Sequence, residues 1–243
     1  MQQDPFYSRT TLLLGDEAQD LLQRASVLVV GLGGVGGYAA EMLCRAGVGN
    51  LTIVDSDTVS HSNLNRQLIA LNSTVGHSKV DLFCQRFRDI NPSVNITPLN
   101  TFLRDDEMIS LLEENHFDYV VDAIDTLSPK VFLLYHSTRL HIPVVSAMGS
   151  GGKLDPSLVQ VTDIAKTYNC PLATMVRKHL HKLGLYTGFK AVFSPEKVSP
   201  SAMYEDPSQN HRTTIGTISY MPALFGCHCA SVVIRDLIDN NAK

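Results

Sequence analysis

Val27–Val30 is an unbroken run of branched apolar residues, and Gly31-Leu-Gly33-Gly34-Val-Gly36-Gly37 follows it at once. A strand apolar at every position is buried on both faces, which is the situation of a strand inside a parallel sheet. The glycines that follow permit a tight turn, and Val35–Ala46 then reads as a helix. A parallel strand needs a crossover to its neighbour, so this one junction already commits the chain to repeating strand–helix units.

The rest of the first half supplies those units. Strands are expected at Leu51–Val54, Val94–Leu99, Tyr119–Val121 and Pro143–Ser146. Helices are expected at His77–Ile90, stopped by Asn91-Pro92, at Asp105–Glu114, with acids in its first turn, and at Pro129–Leu140. The predicted fold class is α/β, a Rossmann-like doubly wound and mainly parallel sheet. Hydrophobic residues are 44% of the chain, enough to fill such a core. Beyond Gly152 the rhythm changes. Leu158–Val161 and Lys190–Phe193 read as strands, Leu172–Leu183 and Tyr220–Asp239 as helices, and Ser194–Thr214 as a long aperiodic loop. The expected division is 1–152, an N-terminal arm and nucleotide-binding part, and 153–243, a smaller substrate-handling part.

The glycine loop has a strand before it and a helix after it, the setting in which backbone amides cradle phosphate oxygens. Gly31, Gly33, Gly34 and Gly36 are the phosphate candidates. Asp55 ends the second strand about twenty residues further on, where an acid receives ribose hydroxyls. The segment after it, Ser62-Asn63-Leu-Asn65-Arg66-Gln67, and then Lys79, put two cations and four carboxamide or hydroxyl side chains at the mouth of one crevice. A dinucleotide needs less positive charge than that. A triphosphate attacked at phosphorus does need it, because charge builds on the departing pyrophosphate. Asp125, at the end of the fourth strand, is placed to hold Mg²⁺ between phosphate oxygens. The plain alternatives are a surface ion pair for Arg66 and Lys79 and a helix cap for Asp125.

These residues resemble the adenylating enzymes related to ubiquitin activators, which include those that adenylate the sulfur carriers of molybdopterin and thiamine synthesis. Ser62–Gln67 is the most specific part of a likeness running from about Arg9 to about Gly152. The resemblance implies ATP as co-substrate and Mg²⁺ as its ion. It assigns Arg66, Lys79 and Asp125 to catalysis, and Gly34 with its loop, Asp55, Ser62, Asn63, Asn65 and Gln67 to the nucleotide. Arg9 would reach the ATP of a second subunit, since relatives are dimers.

Sulfur-carrier activators bear two C-x-x-C zinc knuckles and a downstream acceptor cysteine. This chain has no C-x-x-C pair, and Cys170, before Pro171, is the one cysteine near a plausible loop. Cys227 and Cys229 read as buried, inert thiols. Three strings point to another branch: Val121-Asp-Ala-Ile-Asp125 with Pro129-Lys130, Gly149-Ser-Gly-Gly152 with Asp155-Pro156, and Val161-Thr-Asp163-Ile-Ala-Lys166-Thr167. They resemble the tRNA threonylcarbamoyladenosine dehydratases over nearly the whole chain. That branch implies adenylation of a carboxylate on a modified adenosine beside the anticodon, then ring closure with loss of AMP. It also implies a monovalent-cation site, for which the sequence names no residues. Some relatives have a cysteine where this chain reads Arg212-Thr-Thr214 before Gly216, so a sulfur-relay partner is not expected.

Charge supports an RNA substrate. The net charge is −4, yet Ile164–Pro195 holds Lys166, Arg177, Lys178, Lys182 and Lys190 and no acid. A phosphate backbone complements such a segment, and a solvated helix face is the alternative. The N-terminus is polar, with no apolar stretch of signal-peptide type, and no continuous apolar run approaches a membrane span. Five irregularly spaced cysteines suit a reducing cytoplasm. Two other functions stay open: activation of the C-terminal glycine of a ubiquitin-like sulfur carrier, and an NAD-dependent oxidoreductase.

Overall fold

The structure is a computed structural model and describes residues 4–206 and 212–239. Seven strands form one sheet: β1 (Ser26–Val30), β2 (Asn50–Val54), β3 (Asn95–Leu99), β4 (Tyr119–Asp122), β5 (Val144–Ala147), β6 (Gln160–Asp163) and β7 (Lys190–Phe193), in the order 3-2-1-4-5-7-6. All pairs are parallel except β6 with β7.

Among the described residues, eight α-helices flank the strands: α1 (Ser8–Leu14), α2 (Asp16–Arg24), α3 (Gly36–Ala46), α4 (Lys79–Ile90), α5 (Asp105–Glu114), α6 (Leu127–Arg139), α7 (Pro171–Lys182) and α8 (Tyr220–Asp239). Side chains alternate across each strand, so β1 sends Val27 and Val29 into one core and Leu28 and Val30 into the other. The first core is closed by α2, α3, α4 and α8, the second by α5, α6 and α7. α8 is long and apolar enough to cross a membrane by length and composition. Here its Met221, Phe225, Cys229, Val232 and Val233 are spent on the first core, against α3.

The expected parallel core is present, with boundaries moved by one or two residues. Four corrections concern the chain ends and edges. The N-terminal arm is two helices, α1 and α2. Residues 156–158 form a 3₁₀ turn, and the strand follows at β6, an edge strand only partly buried and so without a clear apolar pattern. Part of the supposed loop 194–214 is a 3₁₀ turn, Pro200–Ala202, and a hairpin of β8 (Met203–Asp206) and β9 (Arg212–Ile215). Residues 207–211 lie outside the described residues. Cys227 is exposed, while Cys229 is buried and its thiol is pushed up to about 12 by desolvation.

β1 pairs with β2 on one side and β4 on the other, so successive crossovers leave in opposite directions at the carboxyl ends of β1 and β4. A crevice opens at such a switch point, and side chains placed there define what the fold can bind.

Candidate active site

The crevice has a volume of about 820 Å³. Gly31, Gly33, Gly34 and Val35 form its floor after β1, Asp55 and Asp57 its wall after β2, and Ala123 to Thr126 its wall after β4. Gly31 sits at φ +90°, and a Cβ there would stand 2.7 Å from the carbonyl oxygen of Ala123. Gly36 does not line the crevice; it is buried, and a Cβ on it would overlap the Gly31 carbonyl. Its role is close packing of α3 on the turn. Among the described residues, the amides of Gly33, Gly34 and Val35 donate to no protein acceptor. They stand just before α3, where free donors and the helix dipole attract an anion.

Asp55 is held by the loop it serves. Its Oδ2 accepts from the amide of Leu32 at 2.6 Å and its Oδ1 from the amide of Asp57 at 2.8 Å. Lys79 begins α4 just after its N-cap Ser78, whose hydroxyl accepts the Asp81 amide. Its Nζ is 2.8 Å from Asp57 Oδ2 and 3.6 Å from Asp55 Oδ1, and its side chain is 4% exposed. The cation expected at the mouth is therefore set into the wall, countered by two carboxylates.

Arg66 also lines the crevice, with Nη1 donating to the carbonyl of Ser62 at 2.8 Å and to Asn65 Oδ1 at 2.9 Å. Ser62 and Asn65 do not themselves line it. They fix the arginine, and Asn65 Nδ2 donates to the carbonyl of Thr217 at 2.9 Å, tying this turn to the far wall. Asn63 lines the crevice while its Oδ1 accepts the Ser60 amide at 3.0 Å. Gln67 lines it too, with its Oε1 buried and unpartnered. Asp125 is exposed in the crevice, and the cap position of α6 is Thr126, which makes no side-chain capping bond. Arg9 is exposed on α1 and lies outside the crevice lining.

The far wall is built by Gly149–Gly151, Leu172, Ile215, Thr217 and Pro222. Sequence reading gave these no role. They are anchored through Gly152, whose amide donates to the Gly216 carbonyl at 2.7 Å, and through buried Lys153, which donates to the Glu196 carbonyl. Desolvation lowers the Lys153 pKa.

The model of the ThiF family matches residues 7–243. The chain belongs to the ThiF family. Within it, tRNA threonylcarbamoyladenosine dehydratase of Bacillus subtilis is 42% identical over 242 residues, covering 96% of this chain and 94% of that protein. Molybdopterin-synthase adenylyltransferase of Escherichia coli is 41% identical over 142 residues, covering only 58% of this chain and 56% of that protein. The crystal structure of E. coli tRNA N6-threonylcarbamoyladenosine dehydratase in complex with ATP superposes with a TM-score of 0.88 at 34% identity, covering 97% of this chain and 95% of that one.

Cys170, the one cysteine the sequence placed near a loop, is not open to an acyl group. Cys170 is 2% exposed at the start of α7, and desolvation pushes the Cys44 thiol up to about 12. In the basic segment, Lys166, Lys178 and Lys182 are exposed. Lys190 is paired with Asp236 at 2.6 Å, and Arg177 is turned onto the hydroxyls of Thr167 and Thr174. Those two cations are committed to the fold and leave three for an outside partner.

Proposed function

We propose that this chain adenylates the carboxylate of threonylcarbamoyladenosine in tRNA and drives its cyclisation at the expense of ATP. One observation carries the reading. A crevice with a glycine-loop anion site, two arginine or lysine cations and a free carboxylate opens on a far wall made by the chain's C-terminal part. The dehydratase relative matches through that part, whereas the adenylyltransferase match covers little more than half of the chain.

ATP lies with its phosphates on the amides of Gly33 to Val35 and its ribose on Asp55. Arg66 and Lys79 hold the triphosphate, and Gln67 and Asn63 supply polar contacts beside it. Asp125 is an exposed carboxylate of the crevice lining that pairs with no cation among the described residues, whereas Asp57 is taken up by Lys79. That fits Mg²⁺, which takes one or two carboxylates and fills its remaining positions with phosphate oxygens and water. Bound there, the ion would neutralise phosphate charge.

The substrate carboxylate enters past Gly149–Gly151 and attacks the α-phosphorus. The bond to the bridging oxygen breaks and pyrophosphate leaves, its growing charge met by Arg66 and Lys79. An internal atom of the substrate's own side chain then attacks the acyl carbon and loses its proton, and AMP departs with the former carboxylate oxygen. No enzyme thiol takes part, in keeping with the burial of Cys170.

The tRNA is held by Lys166, Lys178 and Lys182 through its phosphates, while the unpaired anticodon loop presents the modified base to the crevice. The enzyme works in the cytoplasm as a homodimer. Leu12 and Leu13, 89% and 82% exposed on α1 beside Arg9, offer a second copy an apolar surface. The test is a thermal shift with ATP, AMP and NAD. Stabilisation by ATP and AMP is expected, and stabilisation by NAD alone would replace this reading with a dehydrogenase.

A further inference from the structure

Asp122 and Lys130 are both fully withdrawn from solvent, and the adenylation chemistry touches neither. Lys130, on α6, places Nζ 2.8 Å from Asp122 Oδ2 and donates to the carbonyl of Ile124 at 2.9 Å. Asp122 ends β4. It also accepts from the Ser146 hydroxyl on β5 at 2.5 Å and, through Oδ1, from the amide of Ile124 at 3.1 Å. Both backbone groups of Ile124 are thus held by one buried ion pair.

The residues on either side of Ile124 explain why that hold matters. Ala123 donates its amide to the Val30 carbonyl at 2.9 Å and fits against the bare faces of Gly31 and Gly36. Asp125 follows, with its carboxylate in the crevice. β4 ends at Asp122, so the part-buried Ile124 carbonyl has no ladder partner, and a carbonyl shielded from water without a donor is costly. An apolar pair of similar volume would satisfy the packing at less desolvation cost, but it could not donate to that carbonyl.

We propose that Lys130 is a positioning residue: through Asp122 and the Ile124 carbonyl it fixes the Ala123–Asp125 backbone and so aims Asp125 into the crevice. It contacts no substrate. The adenylation reading enters only through the activity assay, and backbone exchange tests the proposal without it.

The variant is the double change Asp122→Asn with Lys130→Met, which removes both charges and strands neither. Hydrogen exchange of the 123–126 amides should quicken about tenfold, the worth of one buried hydrogen bond, with β1 unchanged. The kcat for AMP formation should fall at least about tenfold while the KM for ATP stays within about threefold, the signature of impaired alignment. Wild-type exchange at 123–126, or acceleration spread evenly over all strands, would overturn the proposal. Should the double variant fail to fold, Ser146→Ala decides. It removes one bond to Asp122 and should quicken exchange at 123–126 by about threefold, locally. No local change there would equally overturn it. If exchange responds as expected and ATP is not a substrate, the adenylation reading fails and the positioning role stands.

Discussion

Two regions of the molecule, the crevice and the basic segment around α7, treat charge in opposite ways. On the nucleotide side, Lys79 is almost wholly buried between Asp55 and Asp57, Asp55 is locked onto the glycine turn, and Arg66 is braced by Ser62 and Asn65. In the basic segment proposed to hold tRNA, Lys166, Lys178 and Lys182 stand in solvent on a turn and a helix face. Stabilising a charge that exists only in the transition state requires donors already in place, because reorganisation during the reaction would cancel the gain. Holding a polyanion requires only that cations be near it, since released counterions supply the free energy. On the proposed function, fixed charge serves the chemistry and loose charge the substrate's handle.

The largest effects should come from the fixed side. Arg66→Ala or Lys79→Ala should lower the ATP–pyrophosphate exchange rate by about 10²–10³-fold, the usual cost of one transition-state donor. Lys79→Ala should also lower Tm, since it leaves Asp55 in the wall without its counter-charge. An exchange rate within tenfold of wild type in either variant would break the comparison. Next comes Asp125→Asn, expected to cut the rate by roughly tenfold or more while calorimetric ATP affinity changes little. Parallel losses in both would make Asp125 a binding residue only.

On the loose side the effect should be smaller and salt-dependent. Lys166→Glu, Lys178→Glu and Lys182→Glu together should raise the KM for tRNA by about tenfold and leave ATP binding untouched. For every phosphate that is no longer neutralised, the log–log salt dependence should flatten by about 0.9 for duplex. Reversing Lys190 sharpens the contrast. It breaks the pair with Asp236, which also receives the Tyr119 hydroxyl at 2.7 Å, so Tm should fall while the salt slope holds. The smallest effect is expected from Cys170→Ser, a rate within about twofold of wild type. A variant that accumulates acyl-adenylate would demand a thioester step.

The sequence made the nucleotide side legible because each feature there is local. An apolar strand, a glycine turn and an acid at a fixed distance all lie within one strand–helix–strand unit. What it hid depends on contacts between distant segments. Lys130 entered only as part of a string shared with the dehydratase branch, with no role of its own, and only the fold brings it under Ile124. Lys79 looked exposed, because nothing in a linear string shows that two aspartates close over it. The far wall combines Gly149–Gly151 with Ile215 and Thr217, which meet only after β9 is in place. The hairpin of β8 and β9 carries exposed Met203 and Tyr204, so no alternating apolar face announces it. α2 buries little more than Ala18, Gln19 and Leu22 from a largely polar stretch, too short a pattern to read as a helix.

The central claim is that this crevice adenylates a carboxylate on tRNA and lets the substrate close on itself. The direct test is to incubate the protein and ATP with tRNA bearing threonylcarbamoyladenosine, digest the RNA, and weigh the nucleosides by mass spectrometry. The account predicts that the modified nucleoside is replaced by one lighter by a single water, with one AMP and one pyrophosphate released for each. An unchanged nucleoside beside continuing AMP release would contradict it.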